Sequence, residues 1–224
     1  MDFFRKQGRI LFCIALLFHC LCIYFDWGTL RIISKLVLLP TLILLLFATL
    51  QFKEKAGSPW VYLGLVFSFF GDLLLTQTGE KYFLLGMLAF IGTHICNSIY
   101  FIHLQPLQFK NGRAVFGAAI LLTFIILLIF QLLNPYLGNF RVPIIAYMII
   151  ISIMVLLAVN TTQAVSLKNI GLTCFIPGAA LFVCSDGILA LNKFLFHQPL
   201  FDILVMFSYG GAQYFLVQGF VKTK

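Results

Sequence analysis

Eight apolar runs, each about 20 residues long, follow one another with little between them, at 10–25, 32–50, 59–76, 82–103, 114–133, 142–160, 170–191 and 199–220. As an α-helix rising about 1.5 Å per residue, a run of that length matches the roughly 30 Å hydrocarbon thickness of a bilayer. A water-soluble domain cannot hide eight of them. Hydrophobic residues make up 62% of the 224 and charged residues 10%, at mean hydropathy +1.05, against roughly 45–50% and 25% in soluble proteins. Lipid must cover the remainder, and in lipid a spanning segment has to satisfy its own backbone. The expected fold is therefore all-α: a polytopic transmembrane bundle of about eight helices, forming a single integral membrane domain over residues 1–224.

The breaks between runs carry helix-stopping residues: Lys53-Glu54-Lys55 with Gly57 and Pro59, Asn111-Gly112, Asn134-Pro135, and His197-Gln198-Pro199. Arg5, Lys6 and Arg9 before an apolar run resemble the start of a signal peptide. That run ends in Phe25-Asp26-Trp27 without a small-x-small cleavage site, so it is read as a first helix. The net charge of +8 is scattered over the loops with no basic stripe interleaved with aromatics, which argues against a nucleic-acid partner. Cys13, Cys20, Cys22, Cys96, Cys174 and Cys184 all lie in apolar runs without CxxC or zinc spacing, and read as small buried side chains.

The basic residues set the expected orientation. Arg5, Lys6, Arg9, Lys53, Lys55, Lys110, Arg113, Lys168, Lys222 and Lys224 fall on the face that carries both termini. Only Arg31, Lys81, Arg141 and Lys193 fall on the other, with Lys35 inside the second span. Positive residues accumulate on the cytoplasmic side, so both termini are expected there, most simply in a cell (inner) membrane. A weak repeat is also legible. One constant offset superposes Gly64 on Gly178, Asp72 on Asp186, Leu75 on Leu189 and Tyr100 on Tyr214, as a 4+4 parallel repeat of helix pairs would.

Ionisable groups inside membrane helices cost about 2.5–3.5 kcal/mol on insertion scales, so each one calls for a reason. Lys35, Asp72, Asp186 and Asp202 lie within a few residues of the same boundary, roughly 5–8 Å deep at about 1.5 Å per residue, on four different helices. His94 on a fifth helix is deeper, with Asn97 one turn further on. The pattern predicts a polar cavity opening towards the outer face. Each residue also has a plainer role. Asp72 follows the small-residue face Gly64, Ser68 and Gly71 and would bond a neighbouring helix. Lys35 would snorkel or neutralise an aspartate, His94 would bridge helices, and Asp202 would be a solvated helix-start residue. His19, His103 and His197 read as structural or interfacial.

Ser68-Phe69-Phe70-Gly71-Asp72-Leu73-Leu74-Leu75, followed by Phe83, Gly86, Phe90, His94 and Tyr100, resembles the YhhN family of membrane proteins, which includes the lysoplasmalogenases. Lys35 with Pro40, Tyr147 with Ser152 and Met154, and Ser185-Asp186 extend the resemblance from the second helix towards the eighth; Leu36 stands where the pattern would carry proline. The resemblance implies hydrolysis of the vinyl ether of an alkenyl lysophospholipid, giving a fatty aldehyde and a glycerophospho-headgroup. Such a bond is cleaved by protonation at carbon, and water captures the oxocarbenium ion. Two carboxyls in different environments suit this, one giving the proton and one staying charged, with neither cofactor nor metal required. Asp72 and Asp186 are the expected catalytic pair, in either assignment. Lys35, His94, Asn97 and Tyr147 are the expected binding or supporting residues, and the substrate is expected to enter from the bilayer.

Other functions use similar residues. Paired intramembrane acids with a histidine also build the relay of a proton-coupled transporter. An intramembrane aspartyl protease needs an acid dyad, though Phe70-Gly71-Asp72 lacks the Gly-x-Gly-Asp form. A scaffold would use the acids only to bind helices together.

Overall fold

A computed structural model describes residues 2–53, 57–107 and 112–223, with side chains from Gln7 onward. Among the expected breaks and basic positions, Glu54, Lys55, Lys110, Asn111 and Lys224 lie outside the described residues, as do the side chains of Arg5 and Lys6.

Eight helical segments account for the described chain, and it contains no strand. They are α1 (Asp2–Tyr24), α2 (Gly28–Phe52), α3 (Pro59–Leu75), α4 (Glu80–Leu104), α5 (Arg113–Leu133), α6 (Arg141–Asn160), α7 (Lys168–Phe196) and α8 (Pro199–Lys222). The eight helices match the eight runs, and seven of them are long and apolar enough to cross a membrane. The exception is α3, whose 17 residues reach about 25 Å at 1.5 Å each, short of the roughly 30 Å of hydrocarbon. Its end at Leu75 gives way to Thr76–Gly79, which face a cavity described below.

Local chemistry explains the boundaries. Pro59 and Pro199 open α3 and α8, where a missing N–H costs nothing. Gly79 takes φ +116° immediately before α4, a conformation open to glycine and strained for any side chain. Residues 134–140 form two short 3₁₀ turns between α5 and α6. α7 is not uniform: Gly171–Phe175 and Asn192–Phe196 are π-helical turns flanking the regular stretch Ile176–Leu191. Such wide turns rotate the residues beyond them and recur at functional sites; the second one carries Lys193, which lines the cavity, and Asn192, which donates to Asp202.

Lipid tails are as apolar as leucine, so close packing and hydrogen bonds hold these helices together instead of exclusion from water. Sequence neighbours pair as α1–α2, α3–α4 and α7–α8, with α4 and α7 also against α6, and α8 against α1 and α2. Small residues permit the closest approaches. A Cβ on Gly71 would lie 2.7 Å from the Phe90 ring, and one on Gly178 would lie 3.1 Å from the Ala212 carbonyl oxygen. Gly64 and Gly178, equivalent under the weak repeat, thus each face the partner helix of their own pair, at Cys96 and Asn97 of α4 and at Ala212 and Leu216 of α8. The terminal end of the bundle is filled by Tyr100, Phe101, Phe175 and Phe220, with Tyr100–Phe220 centroids 4.9 Å apart. α5 is the outermost helix: only Leu122 and Leu133 are buried, while Phe116, Leu121 and Phe124 face outward.

Candidate active site

Asp72 and Ser68 stand one turn apart on the face of α3 that meets α8, and both are buried. Lys35 of α2 brings its Nζ to 3.4 Å from Asp72 Oδ1. From α8, the Tyr209 hydroxyl donates to Asp72 Oδ2 at 2.8 Å. One turn further along α8, Gln213 Nε2 donates to Ser68 Oγ at 2.9 Å. Ser68 also bonds Thr93 of α4 at 2.9 Å, and Thr93 donates to the Gly64 carbonyl. Asp72 is thereby held from α2 and α8, and its neighbour Ser68 from α4 and α8. A carboxylate this buried has to be paired, and Lys35 supplies the counter-charge.

Asp186 sits in a different setting. The Tyr147 hydroxyl of α6 donates to its Oδ2 at 2.7 Å. His94 Nε2 lies 2.9 Å from the Tyr147 oxygen and 3.4 Å from Asp186 Oδ2. Because the Tyr147 hydrogen is engaged with Asp186, the Tyr147 oxygen accepts from His94, which puts the ring proton on Nε2. His94 Nδ1 is then a buried acceptor, without a partner among the described residues. The ring is clamped edge-on against Phe182 and Tyr147, at centroid separations of 5.2 and 5.5 Å.

Both carboxyls line one cavity of about 540 Å³ at the end of the bundle where α1–α2, α3–α4 and α7–α8 turn. Its rim carries further charge. Arg31 Nη2 meets Asp202 Oδ2 at 2.7 Å, Asn192 donates to the other Asp202 oxygen at 2.8 Å, and Asp26 and Lys193 complete the edge. His19 of α1 also faces the cavity. The Ser34 hydroxyl donates to the Leu30 carbonyl, so His19 Nδ1–H donates to Ser34 at 2.8 Å, and His19 Nε2 is left as a buried acceptor. A second, apolar hollow of about 80 Å³ runs between α4, α5, α6 and α7. It shares Leu75, Phe83, Phe90, Asp186 and Leu189 with the polar cavity. Asp186 is the polar residue at that seam; Asp72 lines only the polar side.

The expected cluster on one end of the bundle is therefore present, and Lys35, Asp72, Asp186 and Asp202 share a cavity. Lys35 pairs with an aspartate. Asp202 is held in an ion pair as well as standing in the first turn of α8. His94 and Tyr147 are brought to Asp186. Asn97 is set apart from them: it packs against Gly64, one turn below His94, and does not line the cavity. Sequence reading overlooked Tyr209, Gln213, Arg31 and Asn192, and took His19 as structural. Tyr209 and Gln213 carry a legible signal in their one-turn spacing within an apolar run, whereas Arg31 looks like an ordinary loop charge. Among the described residues, no three His, Cys, Asp or Glu side chains gather as metal ligands would.

Comparison with curated proteins finds similarity to lysoplasmalogenase TMEM86A from Bos taurus, 32% identical over 167 residues, and to lysoplasmalogenase TMEM86A from Homo sapiens, 29% identical over 171. Each alignment covers 73% of this chain and 66% of the relative, so the chain spans just under two thirds of the length of these relatives. No solved structure matches it. The YhhN family matches residues 30–220, from the start of α2 almost to the end of α8 and across every residue of both carboxyl clusters, and this chain belongs to that family.

Proposed function

We propose that this protein is a membrane-embedded hydrolase that cleaves the vinyl ether bond of alkenyl lysophospholipids into a fatty aldehyde and a glycerophospho-headgroup, as the name of its curated relatives suggests. The observation that carries this reading is the seam: one carboxyl, Asp186, lies where a charged cavity meets an apolar hollow, and a second, Asp72, lies wholly on the charged side. An amphiphile with its reactive bond between chain and headgroup fits that division.

The chemistry assigns the two acids. Protonation occurs at the vinyl carbon on the chain side, so Asp186 is the general acid. Its Oδ2 takes the Tyr147 hydrogen bond, which leaves the other oxygen to carry the proton. The electron pair of the double bond takes that proton, and the positive charge spreads over the adjacent carbon and the ether oxygen. Asp72, held as a carboxylate by Lys35, stabilises that cation and accepts a proton as water adds to the same carbon. The resulting hemiacetal breaks its carbon–oxygen bond to release the aldehyde and the glycerol hydroxyl. His94 holds Tyr147, and through it the orientation of Asp186. Lys35 serves the carboxylate more than the substrate phosphate, given its 3.4 Å approach to Asp72. The substrate enters from the bilayer, and both termini lie in the cytoplasm.

A proton-coupled transporter is the second reading, favoured by the unbroken hydrogen-bonded run His94–Tyr147–Asp186. Aldehyde release from 1-alkenyl lysophosphoethanolamine and lysophosphocholine by purified protein in detergent separates the two. Release that is lost in both Asp72→Asn and Asp186→Asn, with both variants folded, supports the hydrolase and its acid pair. Activity surviving both substitutions removes the mechanism and leaves the substrate class. No release from a folded parent, together with substrate-driven proton uptake in sealed vesicles, replaces the hydrolase with the carrier.

A further inference from the structure

We propose that the apolar hollow between α4, α5, α6 and α7 holds the first few carbons of the substrate's single hydrocarbon chain, and that Gly187 sets its width; this rests on the hydrolase reading of the same site. Its apolar lining includes Ile126, Ile129, Met148, Val183 and Gly187, with Asp186 and Tyr147 as its polar members. Tyr147 spends its hydrogen on Asp186 and its oxygen on His94, so it offers little to water or to a polar ligand. What remains is hydrocarbon in character, and it begins at the acid that must reach the chain-side carbon.

Size and position narrow the occupant. A water needs about 10–15 Å³ of such space, so the hollow of 80 Å³ takes roughly five to eight groups the size of water or methylene. That is one short stretch of one chain. One wall is α5, the least buried helix, which is buried only at Leu122 and Leu133, on either side of Ile126 and Ile129 along the chain. The rest of a long chain therefore passes α5 into the bilayer. Gly187 adjoins Asp186 on α7, and a Cβ there would stand 3.3 Å from Ile129 Cδ1. Any larger side chain would project into the space the chain needs. The hollow thus reads bulk close to the bond and ignores length beyond it.

The test uses a saturated 1-alkyl lysophosphocholine, which lacks the vinyl group and cannot be hydrolysed by this chemistry. Two versions carry a photoreactive diazirine, one near the ether and one near the far end of the chain. The near-ether probe should label the segments holding Ile126, Ile129, Met148 or Val183, and the far-end probe should not. Gly187→Leu should lower near-ether labelling about 10-fold or more, since several methylenes lose their burial. Ile126→Trp, which fills the hollow from α5, should do the same if Gly187→Leu does not fold. Labelling of these segments by a parent that releases no aldehyde would keep this site while removing the hydrolase reading. Near-ether labelling elsewhere, or labelling unchanged in a folded variant that fills the hollow, would overturn the proposal even if aldehyde is released.

Discussion

Replacing Lys35 with methionine should destabilise the folded protein by about 3 kcal/mol at neutral pH. Methionine keeps an unbranched apolar stem of similar length, so the change removes a charge and little packing. Asp72 then remains buried with Tyr209 as its hydrogen-bond donor, having lost the ammonium 3.4 Å from Oδ1. Breaking a buried ion pair from one side costs about 3–5 kcal/mol, because an unpaired charge is left in a poor solvent. The lower end applies here, since Lys35 is 15% exposed against 3% for Asp72 and reaches the cavity. Adding Asp72→Asn should recover most of the loss: the amide carries no charge and its oxygen still accepts from Tyr209. The assay is an unfolding equilibrium in mixed micelles followed by helical signal, on the parent, both single variants and the double. The deficit of Lys35→Met should also shrink as pH falls, because a proton taken up by the unpaired carboxyl removes the buried charge. A Lys35→Met protein within about 0.5 kcal/mol of the parent, or a double variant no more stable than the single, would refute the reasoning.

Arg31→Ala should behave differently, costing less than about 1 kcal/mol, because the Arg31–Asp202 pair is 37% and 31% exposed and already screened by water; the same micelle assay reads it. Tyr147→Phe should slow aldehyde release about 10-fold or more while costing about 1–3 kcal/mol of stability, since it removes the hydrogen held by Asp186 and the acceptor held by His94. Equal rates for parent and Tyr147→Phe would remove Tyr147 from the site. Gly71→Val should destabilise by about 1–3 kcal/mol, because its Cβ would stand 2.7 Å from Phe90. As Phe90 lines both the cavity and the hollow, activity should fall with it; a valine variant as stable and active as the parent would show that the ring moves freely.

By itself the sequence determined the class and the segment plan. Apolar length is a local property, and a bilayer converts it directly into helix number. Ionisable residues in such runs are equally visible, because their cost in hydrocarbon does not depend on the fold; Lys35, Asp72, His94 and Asp186 stood out for that reason, and family likeness added Tyr147. Which of them meet was decided only by the tertiary structure. Lys35 closing on Asp72 depends on how α2 leans on α3, and Tyr209 reaching Asp72 depends on α8 packing across the bundle. Asn97 shows the reverse: one turn from His94 in sequence, it faces Gly64 away from the cavity, because the rotation of α4 is set by the close α3–α4 contact. The hollow beside α5 likewise arises from packing between distant helices, which leaves no periodic trace in a chain of nearly uniform apolarity, whereas the shortness of α3 is legible in the run 59–76 between Pro59 and Gly79. Membrane depth is written in composition; the pairing of charges at that depth exists only once the helices are placed against one another.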